Sequence, residues 1–174
     1  MEQAPIDVVV AAYTSEDGAK NALHELNEAR KERVVDIKDA AVLRKDMDDK
    51  LHVVDVKDLG FGRGAILGGV TGAVVGIIAG PVGWAAVGGA AIGGLVAKLR
   101  DGGIREDRLR RIGDNLQPGS SALIAVIEHK WIEEVERRIQ ETGAEIATDM
   151  IGADIAAQLE MEAEKQSGGE TRAA

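Results

Sequence analysis

The stretch Gly60–Leu99, GFGRGAILGGVTGAVVGIIAGPVGWAAVGGAAIGGLVAKL, decides how the rest of this chain folds. From Ala65 to Ala97 it carries no ionisable side chain. Gly60, Gly64, Gly68, Gly72, Gly76 and Gly80 recur at every fourth position, and after Pro81 the spacing returns in Ala85, Gly89, Gly93 and Ala97. Residues four apart lie on one side of an α-helix, so the spacing predicts two helical arms, each with a face nearly bare of side chains. Such faces let a second backbone approach closely, as small-xxx-small pairs do. The arms are expected to form a hairpin that turns at Pro81–Trp84 and packs through these glycines and alanines.

The opposite sides of the arms are bulky. Ile66, Val70, Val74 and Ile77 point away from the first small face, and Trp84, Val87 and Leu95 away from the second. A helix that is apolar all round has to be buried. Glycine inside a helix costs roughly 1 kcal/mol relative to Ala, so only close packing offsets the glycines of the first arm. Two covers are open: lipid, or the hairpins of sister chains. Each arm supplies 16 residues, about 24 Å of helix against a hydrocarbon core of about 30 Å. Arg63 precedes the hairpin and Lys98, Arg100, Arg105 and Arg108 follow it. Basic residues at both ends fit cytoplasmic flanks of an inserted hairpin; they equally fit the solvated face of a following helix. The expected partner is the chain itself, with membrane lipid as the second. The expected location is the cytoplasmic side of the inner membrane, or else the cytoplasm.

Composition narrows the function. The 174-residue chain has a net charge of −9, which disfavours a nucleic-acid binder because phosphate neutralisation needs a basic surface. There is no cysteine, which removes disulfides, thiolate metal sites and thiol nucleophiles. The opening MEQAPID is acidic and has no apolar core, so no secretory signal is expected.

Either side of the hairpin the pattern is mixed. Ile6–Tyr13 (IDVVVAAY) reads as a buried strand, followed by a helix capped by Ser15 with Ala19, Ala22, Leu23, Leu26 and Ala29 inward. Val34–Leu43 and Leu51–Val56 read as a strand pair about the charged turn Lys45–Lys50. Ile104–Leu116 is an amphipathic connecting helix, Gly119–Glu128 a strand, Trp131–Thr142 a helix stopped at Gly143, Glu145–Ile151 a strand and Ala153–Gln166 a last amphipathic helix. The expected division is 1–58 and 119–151 as two halves of one domain, 59–99 as the inserted hairpin, 100–118 as connector, 152–166 as C-terminal helix and 167–174 as a disordered tail. The fold class is α+β, a ferredoxin-like βαββαβ antiparallel sheet with helices on one face and the other face free for self-association.

Catalytic chemistry is not expected. Gly60-x-Gly62-x-x-Ala65 matches a dinucleotide fingerprint in form, but no acidic residue follows at about 20 positions. His24, His52 and His129 lack metal-ligand spacing. The carboxylates Asp46, Asp48 and Asp49 lack the glycine and closing glutamate of a calcium loop. Ser120 and Ser121 precede a strand without a nucleophile elbow. No catalytic residue, cofactor or metal is assigned.

With VVVAAY, the glycine ladder, the PVGW turn, GLVAKLRDGGI and SSALIAVIE in this order, the chain resembles the bacterial family catalogued as domain of unknown function 1269. The similarity spans Ile6–Ile151. The resemblance implies a cytoplasmic α+β domain interrupted by a glycine-zipper hairpin, in a family whose members are usually labelled uncharacterised membrane proteins. It implies no activity and brings no catalytic residues.

Overall fold

The computed structural model describes residues 4–54, 69–87 and 92–172, with side chains described outside 81–95 and 166–172. Five strands, β1 (Ile6–Tyr13), β2 (Asp39–Lys45), β3 (Leu51–Val54), β4 (Ser121–Glu128) and β5 (Glu145–Ile151), form one antiparallel sheet in the order β3-β2-β4-β1-β5. Helix α1 (Gly18–Lys31) follows β1, and α5 (Ile132–Gln140) joins β4 to β5. Helices α2 (Gly69–Val87), α3 (Ile92–Asp101) and α4 (Glu106–Asn115) lie between β3 and β4, and α6 (Ala153–Arg172) ends the fold. The α+β class and the antiparallel sheet are as the sequence predicts. The sheet has five strands, with β3 added at the edge beyond β2.

Both faces of the sheet are covered, contrary to the expectation of one free face. Side chains alternate across a strand, and each parity meets its own helices. Val9, Ala11, Val42, Leu123 and Ile127 pack with Leu23 and Leu26 of α1 and with Val135 and Ile139 of α5. Val8, Val10, Leu43, Ile124 and Val126 pack with Val70, Val74 and Ile77 of α2, Leu109 and Ile112 of α4 and Leu159 of α6. The described residues form a three-layer sandwich, and α2 lies in one of its outer layers together with α4 and α6. The unbroken apolar runs of β1 and β4 suit strands buried on both sides.

Within α2, Gly80 adopts φ 66°, ψ −170° and breaks the helix in two. This backbone conformation is essentially glycine's alone. Pro81 reinforces it by excluding the helical region for the preceding residue. α2 is therefore broken at Gly80–Pro81, just before the expected Pro81–Trp84 turn, and runs on to Val87.

Several boundaries move. β2 begins at Asp39 and not at Val34, because Arg33 takes a left-handed φ of 61° after α1 and Val35 and Ile37 enter the core as an extended lead-in. Ser15 does not cap α1; the helix starts at Gly18, and Asp17 makes no side-chain cap. Instead the Ser121 hydroxyl, 102 residues away, accepts the Ala19 N–H at 3.0 Å and donates to the Ser15 carbonyl at 2.7 Å. The α5 segment opens with a 3-10 turn at His129–Trp131 and closes at Gly143, φ 78°. Helix α6 runs to Arg172, through most of the tail expected to be disordered.

Candidate functional site

The first arm is enclosed by its own chain. Val70, Val74 and Ile77, expected to face lipid or a partner, are at most 3% exposed and lie in the core beside β2 and β4. Thr71, Ala73, Val75 and Ile78 are buried as well, because α3, α4 and α6 cover the remaining sides of α2. The Thr71 hydroxyl donates to Asp39 Oδ2 at 2.7 Å, fixing α2 to the start of β2. Glu160 Oε1 on α6 accepts the Val70 N–H at 3.3 Å, at the end of α2 where helical N–H groups lack partners.

Of the ladder, Gly76 is buried and Gly72 half-buried, while Gly80 breaks the helix. Among the glycines whose surroundings are described, the closest backbone approaches fall at Gly69 and Gly113. A Cβ on Gly69 would stand 2.1 Å from the Leu159 carbonyl oxygen of α6, and one on Gly113 of α4 would stand 2.1 Å from the Ile78 carbonyl oxygen of α2. Gly64, Gly68, Ile66, Arg63 and the Gly60-x-Gly62-x-x-Ala65 motif lie outside the described residues. Gly89 does too, and the side chains of Trp84, Ala85, Val87 and Leu95 are likewise outside the description. Gly93 and Ala97 lie one turn apart on α3. Ala97 is exposed, whereas Val96 and Leu99 are buried.

The basic residues expected to flank a membrane have partners inside the chain. Lys98 pairs with Glu162 of α6, and Arg100 with Glu106 of α4. Arg105 Nε donates to Asp149 Oδ1 at 3.1 Å, and Arg108 donates to the Ile146 carbonyl at 3.3 Å, both on strand β5. Arg110 Nε adds a bond to Glu106 at 2.9 Å. Hydrogen bonds from Arg100 and Arg110 hold the Glu106 carboxyl below its ordinary pKa, against the opposing pull of burial. Among the described residues no helix is long and apolar enough to cross a membrane.

The three histidines stay apart. His52 Nε2 lies 2.7 Å from Asp46 Oδ2 in the β2–β3 turn, His129 Nδ1 lies 2.7 Å from the buried Asp7 carboxylate, and His24 is exposed on α1. Among the described residues no group of three metal-ligating side chains converges.

One concavity was not legible in the sequence. An open cleft of about 780 Å³ lies at the end of the sheet where β1 stops and β4 and β5 begin, within the range of about 300–1,000 Å³ common for ligand pockets. Leu26, Ile112, Leu116 and Ile139 give it apolar lining, and Tyr13, Asn21, Glu25, Asn115, Ser120 and Glu145 give it polar lining. Burial pushes the Tyr13 phenol above its ordinary pKa, and the neighbouring Glu25 carboxylate adds to the rise. These residues come from six separate segments, so no local motif announced them.

No curated protein and no solved structure matches the chain. The family profile described as "Protein of unknown function (DUF1269)" matches residues 65–164, from the glycine-rich first arm to the middle of α6. That match covers more than half of the sequence, and the protein belongs to this family.

Proposed function

We propose that the protein is a non-enzymatic structural protein that self-associates through the outward side of its second arm, the first arm serving as an internal anchor. One observation carries the reading. Ala97, the last rung of the second small-residue ladder, is exposed while its neighbours Val96 and Leu99 turn into the core. Gly93 shares that side of α3 by its four-residue spacing, and a strip without bulky side chains suits the backbone of a second copy. The enclosure of Val70, Val74 and Ile77 favours assembly of folded chains over insertion of the first arm into lipid, since extraction would bare Leu43, Ile124 and Val126 of the sheet to water at about 1.5–3 kcal/mol for each. We also read the sheet as ferredoxin-like with an added edge strand: without β3 the order β2-β4-β1-β5 is two interleaved β-α-β units.

Sedimentation of the full chain in detergent-free buffer tests this. The expected result is a particle larger than one chain that Ala97→Glu dissociates without changing the thermal midpoint. A concentration-independent monomer overturns the proposal, and so does a protein that leaves the membrane fraction only with detergent.

A further inference from the structure

The cleft beside Tyr13 stands apart from the α3 surface, and the direction of its hydrogen bonds says what it takes. Ser120, 4% exposed, donates its only hydroxyl hydrogen to the Gln117 carbonyl at 2.6 Å. Thr142 Oγ1 lies 2.5 Å from the Ile139 carbonyl, which can only accept, so the Thr142 hydrogen is committed there. The Tyr13 hydroxyl, 3.0 Å from Thr142 Oγ1, must then supply the hydrogen of that bond. Both Ser120 and Tyr13 are left with acceptor lone pairs toward any occupant.

Charge points the same way. Glu25 and Glu145 line the cleft and have no ion-pair partner among the described residues. Arg138, the lone cation among the lining residues, is tied to Glu134 at 2.7 Å. An anion would meet the Glu25 and Glu145 carboxylates and the Ser120 and Tyr13 lone pairs against the neutral amide donors of Asn21, Asn115 and Gln117, whereas an ammonium group supplies donors to carboxylates and lone pairs alike. Apolar side chains, Leu26, Ile112 and Ile139 among them, offer a surface for a hydrocarbon body. We propose that this cleft binds a small organic amine, its ammonium group held by the Ser120 and Tyr13 oxygens and the Glu25 and Glu145 carboxylates, its carbon chain on the apolar lining.

Calorimetric titration of the full chain at neutral pH with hexylamine, hexanol and hexanoate tests the proposal. Hexylamine should saturate one site per chain, hexanol should bind about tenfold more weakly or worse, and hexanoate should not bind, because it brings an unpaired carboxylate to an acidic cleft. Ser120→Val, and separately the pair Glu25→Gln with Glu145→Gln, should each weaken hexylamine by about fivefold or more. The exposed Glu pair keeps the test independent of any folding defect at Ser120, and Asp48→Asn, in the distant β2–β3 turn, should leave the affinity unchanged. Equal affinity for amine and alcohol, no saturable binding of the amine at millimolar concentration, or full affinity in the Glu25/Glu145 double variant would each overturn it.

Discussion

Among the glycines whose surroundings are described, Gly69 and Gly113 stand closest to the backbone of another helix, and neither belongs to the four-residue ladder. The spacing predicts a helix, and α2 runs through the described rungs Gly72 and Gly76 as far as the break at Gly80. Which glycine meets which neighbour, however, depends on where α6 and α4 cross α2, and sequence spacing does not encode crossings. Gly69→Ala and Gly113→Ala each press a methyl group into a backbone carbonyl that cannot swing aside, so each should cost about 1–3 kcal/mol in chemical denaturation. Gly152→Ala should change stability by less than about 0.5 kcal/mol, because the atom it meets is the free end of the Asp154 carboxylate. Equal losses at all three positions would show that crossing geometry does not set the cost, since helix propensity alone favours Ala over Gly. His129 offers a second residue-scale test. It is the hydrogen-bond partner of the buried Asp7 carboxylate, and in the sequence it was an isolated histidine with no visible role. His129→Ala strands that carboxylate and should cost about 1–3 kcal/mol, whereas His24→Ala on the exposed face of α1 should be near neutral.

Elements were legible where their own periodicity decides them and less so where a distant group does. The inward residues of α1, Ala19, Ala22, Leu23, Leu26 and Ala29, follow from spacing alone and are buried. The start of α1 does not, because its hydroxyl comes from Ser121 on β4 and not from the adjacent Ser15. Ser121→Ala should therefore destabilise by about 1 kcal/mol and speed amide exchange in the first turn of α1, while Ser15→Ala should leave both unchanged. Charge within α4 makes a pH prediction. Glu106 sits in the first turn, where a carboxylate also favours the helix dipole, and its folded pKa is depressed by Arg100 and Arg110. A depressed folded pKa gives a contribution that is complete above the unfolded value of about 4.3 and is lost as pH falls through the lower folded value. Glu106→Gln should lower the thermal midpoint at neutral pH, and the two proteins should converge as the solution is acidified below about pH 4. A gap that persists at low pH would assign the loss to packing.

At the scale of the whole molecule, the arms were read as needing an outside cover because helices were expected on only one sheet face. The runs VVVAA in β1 and ALIAVI in β4 already carried the contrary signal. A strand with one wet face alternates apolar and polar residues, and these do not. Such strands need cover on both sides, and the one segment apolar enough to supply the second cover is the glycine-rich stretch itself. Two unpaired greasy surfaces in one sequence thus answer each other, with α2 lying on β2 and β4 beside Leu43, Ile124 and Val126. This changes what removing the segment does. A hairpin that merely protruded into lipid or sister chains could be deleted to leave an intact domain. Deleting residues 59–99 from this sandwich removes the α2 cover of Leu43, Ile124 and Val126, each worth about 1.5–3 kcal/mol when buried. That loss rivals the entire stability of about 5–15 kcal/mol typical of a folded domain. The deleted chain should lose its cooperative thermal transition and bind a hydrophobic dye, with far-ultraviolet dichroism partly kept. If it unfolds cooperatively near the parent midpoint as a dye-negative monomer, the sheet does not depend on α2, and the hairpin is an appendage after all.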